Sequence, residues 1–213
     1  RAAVLLSRQN ETQQGLMLLD EIEPQTIEDY KKVILTQSQL YLQTQRFQEG
    51  YELLTKALID LPEDEEILYA RGIHAIQIKN YTQAELDFKE ILKFEPNHPE
   101  TLNALGYLLV EYLKKPDDAY PYLAKAIQIE PNNPSIMDSL GWFYYKKGNK
   151  IEALKWLKQA FSLSNDVDIA AHLSEVLYNM GEMDSAKKVV FDALQRYPNE
   201  PTLLKTQEKF NTI

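Results

Sequence analysis

The sequence predicts an all-α fold, a right-handed α-α superhelix in which helix pairs stack as a solenoid. Three observations predict it. Gly50, Ala84, Ala119, Ala153 and Ala186 stand 34, 35, 34 and 33 residues apart. A second row of small residues, Ser38, Gly72, Gly106, Gly141 and Ser174, precedes that row by twelve residues, or thirteen in the third unit. Pro62, Pro96, Pro131 and Pro198 follow the first row by twelve residues, with Asn165 in the slot of the fourth unit. Two helices cross closely only where side chains are small, and a proline stops the second helix. One such pair cannot bury its apolar face alone, so the pairs must stack.

The elements follow in order. Residues 1–8 read as the tail of one helix and 12–22 as its partner, because Gly15 precedes Gly50 by one period. Helix pairs are expected at about 31–44/47–60, 64–78/81–94, 99–113/117–130, 134–147/150–163 and 167–180/183–196. A last helix, about 201–211, begins at Pro201, a good first-turn residue. It carries Lys205, Glu208 and Lys209, a polar face suited to a cap. Pro-Asn-His-Pro (96–99), Pro-Asn-Asn-Pro (131–134) and Pro-Asn-Glu-Pro (198–201) separate units. Gly148-Asn149 and Gly181-Glu182 turn the chain inside a unit, where the third unit has Lys114-Lys115-Pro116. The acidic run 63–66 reads as first-turn carboxylates at the positive end of a helix dipole. The division is therefore a half-repeat (1–30), five repeats (31–64, 65–98, 99–133, 134–166 and 167–200) and a capping helix (201–213).

Composition narrows the function. The 213 residues carry a formal net charge of −9, which disfavours nucleic acid and anionic membrane as partners. No cysteine is present, so disulfides, thiolate metal sites and cysteine nucleophiles are excluded within this sequence. No 18-residue apolar run could span a bilayer. The sequence opens at Arg1, and Ala2 to Leu6 read as mid-helix, so a fragment of a longer protein is expected. No catalytic or metal constellation is legible among His74, His98 and His172, and no cofactor is expected. His98 reads as a solvated turn residue. His172 reads as a surface pair with Glu175 or as a packed histidine.

The period and its small–small–Ala–Pro offsets resemble the tetratricopeptide repeat. That resemblance implies a protein-binding concave groove lined by helix-A positions two, five, nine, twelve and thirteen. They map to Glu100, Asn103, Tyr107, Val110 and Glu111 in the third unit. The fourth gives Ser135, Asp138, Trp142, Tyr145 and Lys146, and the fifth Asp168, Ala171, Glu175, Tyr178 and Asn179. Tyr107, Trp142, Tyr145 and Tyr178 would form an aromatic track, and Glu111, Asp138 and Glu175 would favour a client carrying Lys or Arg. The alternative for Trp142 is packing beside Gly141. Trp156 is expected half packed on the outer face.

Three blocks are more particular. Leu102–Tyr107 (LNALGY), Asp138–Trp142 (DSLGW) and Ile169–Leu177 (IAAHLSEVL) resemble, in order and near-family spacing, blocks of the large tetratricopeptide-repeat lipoproteins of gammaproteobacteria. Ser174 and Tyr178 depart from the family's glycine and tryptophan. The resemblance implies a non-enzymatic scaffold or adaptor. It would be periplasmic, held at the outer membrane by a lipid on a missing upstream segment, and would bring cell-wall hydrolases to a carboxy-terminal processing protease. Alternatives are an envelope assembly scaffold without a protease and a cytoplasmic peptide-binding co-chaperone. The latter's carboxylate clamp needs converging cations, whereas these positions hold Glu111, Asp138 and Glu175 with one Lys146. Oligomeric state stays open.

Overall fold

The structure, a computed structural model, describes residues 12–211. Among these there are twelve helices and no strand. They are α1 (Thr12–Asp20), α2 (Ile27–Gln43), α3 (Phe47–Asp60), α4 (Glu65–Gln77), α5 (Tyr81–Phe94), α6 (Pro99–Glu111), α7 (Pro116–Ile129), α8 (Pro134–Lys146), α9 (Lys150–Leu163), α10 (Val167–Asn179), α11 (Met183–Arg196) and α12 (Pro201–Asn211). The expected helix over 1–8 lies outside the described residues. The helices form two compact units, one holding α1–α5 and the other α6–α12.

Helix starts follow capping chemistry. Thr26 begins α2 four residues earlier than expected, since its Oγ1 accepts from Asp29 N at 3.0 Å. Asp64 caps α4 by accepting from Ile67 N at 3.1 Å, and Lys31 pairs with Asp64 at 3.0 Å and Glu66 at 2.6 Å. The acidic run is thus a cap with its counter-ion. His98 departs from the expected solvated turn: its Nδ1 accepts from Thr101 N at 3.2 Å and caps α6. Each turn within a repeat needs one left-handed residue. Gln45 (φ 58°), Lys79 (φ 62°) and Lys114 (φ 56°) supply it at a conformational cost, and Gly148 (φ 80°) and Gly181 (φ 86°) without one.

Packing explains both small-residue rows. Leu54, Phe88, Leu123, Leu157 and Val190, one repeat apart on successive B helices, are at most 1% exposed. Burying each contributes about 1.5–3 kcal/mol over leaving it in water. Three of them sit against the helix-A slot. A Cβ built at Gly72, Gly106 or Gly141 would meet Phe88 Cε1 at 2.6 Å, Leu123 Cδ2 at 2.5 Å or Leu157 Cγ at 2.7 Å. In α10 the slot holds Ser174, whose hydroxyl folds back onto Ala171 O at 2.8 Å. In α12 the equivalent position is Glu208, while Leu203 and Phe210 stay buried.

The first unit has its own solution. Gly50 stands where the later repeats carry alanine, and the space is taken by His74, whose ring a Cβ at Gly50 would strike. His74 is fully buried. Its Nδ1 lies 3.0 Å from Phe47 O and its Nε2 3.1 Å from Ser38 Oγ. A neutral ring with its proton on Nδ1 donates to the carbonyl and accepts from the serine, satisfying all three groups. Burial depresses its pKa, against the two backbone carbonyls that favour charge.

Candidate functional site

In the second unit α6, α8 and α10 are the first helices of three consecutive repeats. They bring most of the expected groove residues together. Trp142 (α8) donates from its indole N–H to Glu111 Oε2 (α6) at 2.8 Å. Lys146 (α8) reaches the same oxygen at 3.0 Å, and its ammonium lies 4.4 Å from the Trp142 ring centroid, within cation–π range. Tyr145 (α8) donates to Glu175 Oε1 (α10) at 3.2 Å and accepts from Asn179 Nδ2 (α10) at 3.0 Å. Burial, then the Glu175 charge, pushes the Tyr145 phenol up to about 12.

His172 (α10) joins this network, which its local spacing did not suggest. Its partner is not Glu175 but Asp138, one repeat earlier: Nδ1 lies 2.9 and 3.0 Å from the two carboxylate oxygens. Its ring stacks on Trp142 with centroids 4.0 Å apart and planes at 19°. Tyr107 (α6) brings its phenol oxygen to 3.5 Å from Nε2. Burial opposes charge on the imidazole. The Asp138 carboxylate, aided by Asp168 and Glu111, outweighs it and holds the His172 pKa above its ordinary value. A hydroxyl, imidazole and carboxylate in sequence invite comparison with a nucleophile triad. Burial, then neighbouring Tyr112 and the carboxylates, raises the Tyr107 phenol far above its usual range. That is opposite to what an activated nucleophile needs.

Several expectations change. Val110 is 1% exposed and packed inside, because an aliphatic side chain has no polar end to carry to solvent. Trp142 is 5% exposed, so its indole belongs to packing between repeats more than to an open track. Glu111, Asp138 and Glu175 each already hold an internal donor, so none is a bare carboxylate awaiting a cation. Tyr178 is half-buried under α12, stacked on Phe210 at 4.8 Å with Lys209 above it at 5.5 Å. Trp156 is half packed as expected, lying half-buried against Met137, Ala160 and Ile169. Asn103 differs from the rest. Its Oδ1 is buried without a hydrogen-bond partner among the described residues, one turn before Tyr107 on α6. Among the described residues no cluster of His, Cys, Asp and Glu could hold a metal ion, and no helix is long and apolar enough to cross a membrane.

Comparison with known proteins agrees with this architecture. Residues 99–133 and 135–167 match models of the tetratricopeptide repeat. A TPR repeat-containing protein of Pseudomonas aeruginosa is 28% identical over 128 residues, which are 60% of this chain and 22% of that protein. The chain thus spans about a fifth of that relative. A thermophilic TPR protein of Thermus thermophilus has the same fold, with a TM-score of 0.78 at 20% identity over 85% of this chain and 99% of that one. YrrB, described as a TPR protein with an unusual peptide-binding site, superposes with a TM-score of 0.54 at 18% identity over 83% of this chain and 91% of that one. The chain has the fold of a TPR solenoid and is similar over part of its length to the Pseudomonas protein, and this fold is consistent with a protein-binding scaffold.

Proposed function

We propose that the chain is a non-enzymatic adaptor that binds an extended client segment across α6, α8 and α10. One observation carries the reading. Asn103 Oδ1 is a buried acceptor with no partner among the described residues, one turn before the half-buried Tyr107 on α6. Leaving such an acceptor unpaired costs about 1–3 kcal/mol. A backbone N–H or an Arg or Lys donor of a client would remove that cost on binding. The peptide-binding site of YrrB supports the mode.

The blocks at 102–107, 138–142 and 169–177 support the finer reading. It is an envelope lipoprotein, anchored upstream at the outer membrane, that presents cell-wall hydrolases to a carboxy-terminal processing protease. The test is capture from a bacterial envelope extract by wild type and by Asn103→Leu, followed by mass spectrometry. Asn103→Leu removes the unpaired acceptor, so its melting temperature should hold or rise. Its capture of protease and hydrolase should fall about tenfold, roughly the effect of losing one buried hydrogen bond of about 1.4 kcal/mol. Equal capture by both proteins overturns the site. Capture of other envelope proteins by a site that Asn103→Leu disables keeps the scaffold and removes the protease.

A further inference from the structure

One titratable side chain touches all three helices of the proposed binding face. His172 of α10 meets Asp138 and Trp142 of α8 and Tyr107 of α6. The equivalent position in the two preceding repeats is Ala104 and Ser139, so an imidazole here is peculiar to the last repeat. The charged and titratable groups around it are Tyr107 and Glu111 from α6, Asp138 and Lys146 from α8, and Asp168 and Glu175 from α10. Glu111 is held by Trp142 and Lys146, and Glu175 by Tyr145.

We propose that His172 is a pH-sensitive clasp on this face: its imidazolium holds Tyr107, Asp138 and Trp142 closed against one another, and loss of its proton loosens them and uncovers the Trp142 ring. The regulatory meaning rests on the face being the client site; the clasp itself does not. As an imidazolium the ring donates from Nδ1 to Asp138 and from Nε2 to the phenol oxygen, and its charge faces the indole π-system. As a neutral ring it keeps the Nδ1 bond, but Nε2 becomes an acceptor and the phenol must turn to donate. Asp138, 6% exposed, then faces a neutral donor in place of a cation, while Asp168 and Glu111 remain nearby. A buried carboxylate without a cation partner is costly, and local loosening toward water relieves it. Because the surrounding carboxylates favour the charged ring, the clasp is closed in acid and loosens as pH rises through the raised His172 value.

The experiment uses the full chain with Trp156→Phe, which leaves Trp142 as its one tryptophan. A stacked imidazolium quenches indole emission by accepting an electron from the excited ring. Emission should be low at pH 6 and rise in one step above the ordinary histidine value of about 6.5. Acrylamide quenching of Trp142 should increase at least twofold across the same step. His172→Gln should abolish the step, and Asp138→Asn should lower its midpoint by about one unit, a tenfold change in proton affinity. Should Asp138→Asn fail to fold, NMR titration of the His172 ring in the parent chain measures the same midpoint. Absence of the step, its survival in His172→Gln, or unchanged acrylamide access across it overturns the clasp. Capture by Asn103→Leu at a fixed pH judges the client site separately, since that substitution leaves the clasp residues in place.

Discussion

Both units pin their seams with a histidine, and the two work in opposite ways. His74 joins α2, α3 and α4 as a neutral ring, buried against Gly50, with the Phe47 carbonyl as acceptor and the Ser38 hydroxyl as donor. His172 joins α6, α8 and α10 as a ring paired with Asp138, whose carboxylate favours its charged form. The surroundings decide. Among the described residues no carboxylate offsets the desolvation of His74, so burial wins and favours the neutral ring. Around His172 three carboxylates together exceed the same penalty. Shape complementarity fixes the first seam and electrostatics the second.

Removing the charge partner should have the largest effect. Asp138→Ala removes the one carboxylate hydrogen-bonded to the buried His172 imidazole, and breaking a buried pair costs about 3–5 kcal/mol. Urea denaturation with hydrogen exchange should place the loss in α6–α12 and leave the protection of α2–α5 unchanged. Equal loss in both units would mean that they do not unfold separately. Next comes Gly141→Leu, which must displace Leu157 and should cost about 1–3 kcal/mol by overpacking. An unchanged melting curve would show that the slot is roomier than the 2.7 Å approach implies.

The pH dependence follows from the two directions. His74 has a folded pKa below its unfolded value, so its contribution is complete above about pH 6.5 and is lost as pH falls below that. His172 has a folded pKa above its unfolded value, so its contribution is complete below about pH 6.5 and is lost as pH rises through the folded value. Hydrogen exchange at pH 5.5 and pH 8.5 should therefore show α2–α4 weakened at the lower pH and α6, α8 and α10 at the higher. The same ordering in both units would undo the contrast. The smallest effect concerns the turns. Lys79→Gly relieves a left-handed residue and should raise stability by about 0.5–1 kcal/mol after the entropy of glycine is counted. Gly148→Lys, its mirror in the other unit, should lower it by a similar amount.

Much of the architecture was legible. The pair expected at 134–147/150–163 is found as Pro134–Lys146 and Lys150–Leu163, because a proline start, an asparagine cap and a glycine turn mark it locally. The small rows pointed to helix crossings that the structure places against Phe88, Leu123 and Leu157. The network at the candidate site was less accessible. Asp138 and His172 are 34 residues apart and occupy adjacent helix positions, five and six, of neighbouring repeats. Nothing in the local spacing of either residue announces the pair. The period does announce it, once side chains are compared across repeats and not only along one helix. Trp142 and Val110 fell on groove positions by count, yet burial follows side-chain chemistry: the indole turned its N–H to Glu111, and valine had nothing to turn outward. Asn103 carries no sequence signal that it would lack a partner.

Glu208 gives the fold a grammar. The first helices α4, α6, α8 and α10 each offer a small residue at their eighth position, and at the three glycines among these a side chain of the following helix fills the space. At α12 the same position carries a glutamate, so a helix arriving as the others do would meet a charged side chain where a glycine or serine should be. The slot that admits a side chain of the next helix in the earlier repeats is therefore filled at α12 by one residue, and Glu208→Gly would reopen it without touching the buried Leu203 and Phe210.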